Sequence, residues 1–105
     1  MKTVIMVMLA TSLMTLSPPS LADQGLANAK GCLACHDLKT KKIGPAYMAV
    51  AKKYAGDPEA AARLVQKIRE GGGGVWGTAA MPANKTLGVT EADAKKLVTW
   101  ILALK

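Results

Sequence analysis

The residues best able to do chemistry lie together at Cys32-Leu33-Ala34-Cys35-His36. Two thiols at this spacing can each add to one of the two vinyl groups of a haem, and the following histidine then aims its imidazole at the iron. The pattern is typical of c-type haem attachment, and haem iron takes a nitrogen ligand of this kind. The motif predicts one haem c, attached through Cys32 and Cys35 and ligated by His36.

Three other interpretations compete for the two cysteines. A disulfide between Cys32 and Cys35 would close a very small loop and stabilise the fold little. A thioredoxin-like dithiol needs the motif beside a βαβ pattern, and the sequence shows no strand pattern. A structural zinc site needs four ligands, whereas the two cysteines and the single histidine of the chain supply three. Haem attachment is favoured over all of them.

The second axial ligand must come from another residue type, because His36 is the only histidine. The thioethers beyond residue 22 are Met48 and Met81. Met48 falls in a predicted helix, where a packing or surface role is favoured, whereas Met81 stands in a loop of small residues that can approach a ring closely. Met81 is therefore predicted to ligate the iron. A thioether raises the haem potential, and a ring occupied on both faces favours electron transfer over enzymatic catalysis.

The first 22 residues have the pattern of a secretory signal. Lys2 is followed by an apolar run from Thr3 to Leu16, then by Pro18-Pro19 and small residues up to Ala22. This order is typical of a cleaved leader. A membrane anchor is the alternative, but a spanning helix needs about 20 apolar residues and this run is shorter. We predict cleavage after Ala22 and one periplasmic domain over residues 23–105, with no stable membrane insertion.

The charge balance points to acidic partners. The chain has 14 Lys and Arg residues against seven Asp and Glu, a net charge of +7. Because the chain is predicted to be exported, we do not expect this positive charge to bind nucleic acid. Lysines cluster near the attachment motif and on the second predicted helix (Lys30, Lys39, Lys41, Lys42, Lys52 and Lys53). They could steer a redox protein with an acidic docking surface or merely keep the chain soluble. We expect a monomer.

The predicted elements are helical. Helices are expected over residues 24–30 with Asp23 as the cap, over 46–54, from Asp57-Pro58 to Glu70, and from Thr90 to Leu104, where Asp93 completes a capping box. Strand signals are poor. The loops at the cysteines and at Met81 are too long to be simple connectors. The sequence therefore predicts an all-α fold of about four helices, with long loops wrapped around the haem.

These residues also resemble the short class I cytochromes c of bacteria, of the c-551 and c-552 type. The likeness runs from about Leu26 to Lys105. Its segments are Lys30-Gly31-Cys32-x-x-Cys35-His36, Gly44-Pro45-Ala46-Tyr47, Lys67-Ile68-x-x-Gly71, Gly74-Val75-Trp76-Gly77, Met81-Pro82-x-Asn84 and Trp100. The resemblance implies the cytochrome c fold and a single-electron carrier between respiratory redox proteins, for example to a nitrite reductase, peroxidase or oxidase. A haem enzyme or gas sensor with an open distal site is the alternative, and a thiol oxidoreductase without haem is the third.

The resemblance also implies roles for residues around the haem. The Pro45 carbonyl would accept the Nδ1 proton of His36 and strengthen it as a ligand. The Asn84 side chain would donate a hydrogen bond to the Met81 sulfur.

Two further residues are assigned to the haem propionates by the resemblance. The Trp76 indole N–H would bond one propionate, with a packed aromatic as the alternative. Lys67 would neutralise one, with a solvated surface lysine as the alternative.

The Met81 loop departs from the family pattern at two places. Ala83 stands where a second proline is common, and Thr78-Ala79-Ala80 replaces bulkier residues. We expect a softer loop and a shifted potential, with ligation intact.

Overall fold

The computed structural model describes residues 20–105, so the predicted leader lies mostly outside the described residues. The helices are α1 (Ser20–Ala29), α2 (Tyr47–Lys53), α3 (Ala60–Glu70) and α4 (Glu91–Leu102), with short 3-10 helices at Cys32–Ala34 and Asn84–Leu87. Within this range the extended pairing is limited to one isolated bridge between Gly72 and Met81. The all-α prediction is confirmed. None of the described helices is both long enough and apolar enough to span a bilayer.

The predicted capping box begins α4. The Thr90 hydroxyl accepts a hydrogen bond from the Asp93 N–H at 3.1 Å, and the Asp93 carboxylate accepts one from the Thr90 N–H at 3.1 Å. These bonds with Thr90 lower the pKa of the Asp93 carboxyl group. The box satisfies two backbone donors at the helix start that have no partner within the helix. The helix ends at Leu102, two residues before the predicted end at Leu104.

Two predicted helix starts were wrong. Asp57 was expected to begin α3, but it forms a turn first, because its side chain accepts from the Glu59 N–H at 2.9 Å and α3 begins only at Ala60. Asp23 was expected to cap α1, but α1 begins at Ser20 and Asp23 lies in its first turn. A negative charge there still interacts favourably with the positive end of the helix.

Helix α4 forms the centre of the core and packs against α1, α2 and α3. Its buried residues are Ala94, Leu97, Val98, Trp100 and Ile101, and they pack with Ala27, Tyr47, Val50, Ile68 and Val89. Burying one Leu or Ile side chain contributes about 1.5–3 kcal/mol. The core thus holds the helices together. The segments over residues 35–46 and 71–89 are left to form the candidate site.

Candidate functional site

The two loops and one face of α4 enclose a cavity of about 280 Å³. Its lining includes seven of the eight residues that the sequence singled out, which are Cys32, Cys35, His36, Pro45, Lys67, Trp76 and Met81. Asn84 is buried but does not line the cavity. Helix α4 contributes Leu97, Val98 and Ile101 to the apolar wall, and α3 contributes Leu64 and Ile68. Residues far apart in the sequence therefore meet at one predominantly apolar site.

The His36 imidazole is buried and held by a backbone carbonyl. Its Nδ1 lies 2.7 Å from the Pro45 carbonyl oxygen, and its exposed fraction is 9%. Since a carbonyl oxygen can only accept, Nδ1 must carry the proton and donate it. This contact leaves Nε2 as the ring nitrogen available to bind a metal. This is the contact that the family resemblance implies.

The attachment motif forms a single tight turn. Gly31 precedes it with a positive φ of 78°, a value that glycine adopts without strain. The backbone N–H groups of Cys35 and His36 both donate to the Cys32 carbonyl, at 3.2 and 3.0 Å. Both thiols and the imidazole are thereby carried on one compact segment that faces the cavity.

The environment of the thiols argues against the alternatives to haem attachment. Burial raises the pKa of the Cys32 thiol, whereas a reactive dithiol of the thioredoxin kind depends on a lowered pKa. Both cysteines are unpaired thiols rather than a disulfide. Cys32, Cys35 and His36 would supply only three of the four ligands that a structural zinc site needs.

Met81 is fixed by its backbone at the end of α3. Gly72 and Met81 exchange two hydrogen bonds, of 3.0 and 2.9 Å, which close the intervening loop at its base. The Asn84 side-chain amide donates to the Ile68 carbonyl at 2.9 Å and to the Pro82 carbonyl at 3.2 Å. Asn84 thus directs its two amide hydrogens to carbonyl groups instead of to the Met81 sulfur. It holds the Met81 segment against α3 through the backbone.

Three exposed apolar side chains lie at the cavity opening, and we call them the mouth patch: Ile43, Val75 and Trp76, with 64%, 52% and 39% of their surface exposed. The Lys53 ammonium group lies 5.6 Å from the centre of the Trp76 ring, within the range of a cation–π contact. The sequence did not predict this contact, because it joins two elements that are distant along the chain.

Two cationic side chains line the otherwise apolar cavity. Arg63 forms an ion pair with Asp57. Lys67 makes no ion pair among the described residues. A haem has a large apolar ring and two carboxylates, so it suits apolar walls with an uncompensated cation and an indole N–H at the edge. Together with two thiols, a bare imidazole nitrogen and a thioether, these donors fit a covalently attached haem.

Tyr47 and Gly44 also line the cavity, although the sequence gave them no individual role. Tyr47 is only 5% exposed, and burial raises the pKa of its hydroxyl, which faces the Cys32 thiol. Both residues could have been identified from the sequence by their position in Gly44-Pro45-Ala46-Tyr47, because that segment is one of those that carry the family resemblance.

Comparison with known proteins agrees with this site. Residues 23–105 match the family model of cytochrome c. Cytochrome c-552 of Hydrogenobacter thermophilus is 55% identical over 86 residues, covering 82% of this chain and 85% of that protein. Cytochrome c-552 of Nitrosomonas europaea is 44% identical over 105 residues, covering all of both chains. The crystal structure of wild-type Nitrosomonas europaea cytochrome c552 superposes with a TM-score of 0.73 at 48% identity, covering 78% of this chain and 99% of that one.

Replacing Gly71 tests how the Met81 segment is held. Gly71 has a φ of 71° and a ψ of −157°, a region that is essentially restricted to glycine. A Cβ here would also lie 2.7 Å from the Pro82 carbonyl carbon. We expect Gly71→Ala to lower the free energy of unfolding by about 1–3 kcal/mol from backbone strain alone, and by more once the contact is included. Denaturant unfolding followed by circular dichroism measures this loss.

Gly56→Ala is the matched control. Gly56 also has a positive φ, of 75°, but a Cβ there would meet nothing within 4 Å. Its substitution is expected to cost roughly 1 kcal/mol of backbone strain only. Equal losses for the two variants would show that the contact of Gly71 with the Met81–Pro82 segment contributes nothing.

Proposed function

Because this chain belongs to the cytochrome c family and binds one haem c covalently, we propose that it is a periplasmic single-electron carrier between respiratory redox proteins. The observation that carries the proposal is that one imidazole and one thioether, from His36 and Met81, line the same cavity as the two thiols of the attachment motif. An iron ligated by both would have no open position for peroxide or oxygen, which favours a carrier over an enzyme or a gas sensor.

Different residues of the chain would hold different parts of the haem. Cys32 and Cys35 would form the thioether links, and the Nε2 lone pair of His36 would ligate the iron. The Pro45 carbonyl keeps that nitrogen free by holding the proton on Nδ1, at 2.7 Å. When bound, the haem supplies an iron that alternates between the ferric and ferrous states, at a potential set by its axial ligands.

The remaining contacts control the edge of the ring and its access to water. We infer that Lys67 and the Trp76 indole face the propionates, since both line the cavity. Leu97, Val98 and Ile101 would cover the ring from the side of α4 and exclude water. Excluding water from the iron raises the free-energy cost of changing its charge. Burial of the haem and the choice of axial ligands would therefore both affect the reduction potential.

The mouth patch is the proposed docking surface for redox partners. Ile43, Val75 and Trp76 expose apolar surface at the cavity opening. The exposed lysines of the loop before it, Lys39, Lys41 and Lys42, add positive charge to one side. A partner with an acidic rim and an apolar centre would be steered by these charges and would contact the patch directly.

Substitution of Met81 tests the proposed ligation. In Met81→Ala the oxidised protein should lose the weak absorption band near the red end of the spectrum that marks iron–sulfur ligation. The reduced protein should bind carbon monoxide rapidly, because a coordination position is open. The reduction potential should fall by a measurable part of the roughly 0.8 V range over which axial ligands tune haem. Optical titration and voltammetry of the haem protein measure all three.

Met48→Ala is the control for that experiment. Met48 lies in α2 and lines a separate groove with Leu102 and Leu104, away from the haem cavity. The band, the carbon monoxide rate and the potential should stay at the wild-type values. Rapid carbon monoxide binding by the wild-type protein would instead favour the enzyme or sensor. A red band that survives in Met81→Ala would show that a sulfur other than that of Met81 ligates the iron.

Charge reversal near the mouth patch tests the docking proposal. Ferricyanide is an anionic oxidant, so its second-order rate with the reduced protein should fall with rising ionic strength. Lys41→Glu should lower that rate a few-fold at low salt, since an exposed charge pair is worth roughly 0.2–1 kcal/mol. Lys96→Glu, on the exposed side of α4, makes the same change of net charge elsewhere. Stopped-flow rates that fall equally in the two variants would show that net charge alone matters.

Export and leader cleavage are tested by intact-mass spectrometry. When the full chain is expressed with haem-attachment machinery, the periplasmic product should have the mass of residues 23–105 plus one haem. Recovery of the uncut chain from the membrane fraction would show that residues 1–22 act as an anchor.

A further inference from the structure

We infer that Tyr47 and Gly44 are positioning residues that set the rotation of the His36 imidazole about the axis through Nε2. The inference goes beyond the proposed function, and it rests on that function only in taking His36 as an iron ligand. Its basis is that the imidazole is confined from several sides, of which the Pro45 hydrogen bond is only one.

The first constraint is aromatic stacking. The Tyr47 ring lies parallel to the His36 imidazole, with 4.7 Å between the ring centres and 16° between the planes. An offset parallel arrangement of this kind is a favoured geometry for two aromatic rings. A rotation of the imidazole out of this plane would lose the contact and bring the ring edge against the tyrosine face.

Tyr47 is itself immobilised, so it can act as a fixed wall. It begins α2 and is 5% exposed. The Trp100 ring of α4 meets it edge to face, with 5.5 Å between centres and an angle of 75°. Trp100 is 2% exposed in the helical core. It holds Tyr47 in place, and Tyr47 in turn restricts the orientation of the imidazole.

The second constraint is the closeness of the Gly44 backbone. A Cβ on Gly44 would lie 2.5 Å from His36 Cε1, 2.9 Å from Nδ1 and 3.0 Å from Nε2. Carbon atoms in contact are normally 3.5–4.0 Å apart, so only glycine leaves room for the ring in its present position. Gly44 is not among the glycines with positive φ. Alanine there would act on the imidazole without straining the backbone.

Together these contacts leave one rotational position for the imidazole. The Pro45 bond fixes the proton on Nδ1 and the direction of that edge, and Tyr47 and Gly44 restrict the tilt and rotation of the ring. In an oxidised haem the orientation of an axial imidazole governs how the unpaired electron is distributed over the porphyrin. The pattern of the four ring-methyl proton resonances reports that distribution directly.

The test compares haem-methyl spectra of four variants of the oxidised haem protein. Cyanide is added to each, because it replaces the thioether by a ligand of cylindrical symmetry and leaves His36 alone to set the pattern. Tyr47→Phe keeps the stacked ring and should keep the wild-type order of methyl shifts. Tyr47→Leu removes the aromatic face, and Gly44→Ala pushes the ring from its position. Both should redistribute the four shifts.

Val89→Ala is the control for a purely structural effect. Val89 is 2% exposed in the core and does not line the haem cavity. This variant should be less stable, with an unchanged methyl pattern. If Tyr47→Leu does not yield haem protein, Gly44→Ala decides the question alone.

Unchanged shifts in Tyr47→Leu and Gly44→Ala would overturn the inference, as would an equal redistribution in Val89→Ala. Failure of the proposed function would give a different result. In that case the oxidised wild-type protein would lack the iron–sulfur absorption band before any cyanide is added.

Discussion

The hydrogen bond from His36 Nδ1 to the Pro45 carbonyl oxygen is the contact on which the site depends. It joins the end of the attachment motif to the residue that leads into α2, at a distance of 2.7 Å. The backbone bond from the Gly44 N–H to the Cys35 carbonyl, at 2.8 Å, closes the same loop a second time. The loop therefore presents the His36 imidazole with Nδ1 bonded to Pro45 and Nε2 available as a ligand, and it places Tyr47 beside the ring.

The apolar residues of α4 serve two structures at once. Leu97, Val98 and Ile101 belong to the helical core and also line the cavity. In a chain without phenylalanine, a small core alone buries little apolar surface, and domains of this size are commonly stabilised by a bound group. A haem seated against this face of α4 would extend the core across the cavity. The fold and the cofactor site are for this reason one hydrophobic unit, and changes to either affect both.

The sequence predicted the parts of the structure that depend on local chemistry. The spacing of the two cysteines and His36 identified the haem motif, and Thr90 with Asp93 identified the start of α4, because both signals are contained within a few residues. The start of α3 was misplaced, since the Asp57 side chain that resembles a helix cap serves equally well in a turn. Local chemistry alone does not distinguish these two outcomes.

Contacts between distant segments could not be predicted in the same way. The stacking of Tyr47 on His36 requires α2 to fold back on the attachment motif, and the cation–π contact of Lys53 with Trp76 requires the loop over residues 71–89 to reach α2. Asn84 was expected to contact the Met81 sulfur, but its amide is directed to the Ile68 and Pro82 carbonyls. The family resemblance identified the residue, while its hydrogen-bond partners required the tertiary structure.

The Met81 loop shows why its departures from the family pattern are compatible with thioether ligation. Thr78, Ala79 and Ala80 are exposed and lie outside the bridge that pairs Gly72 with Met81. The softening that we predict from their small side chains acts within the loop that the two backbone bonds of this bridge close, and not on the bonds themselves. Ala83 leaves the backbone less rigid than a second proline would. The Asn84 side-chain amide donates to the Pro82 carbonyl at 3.2 Å, and this bond spans Ala83. The backbone of Met81 is thereby held at the end of α3 by bonds that involve none of the departing residues.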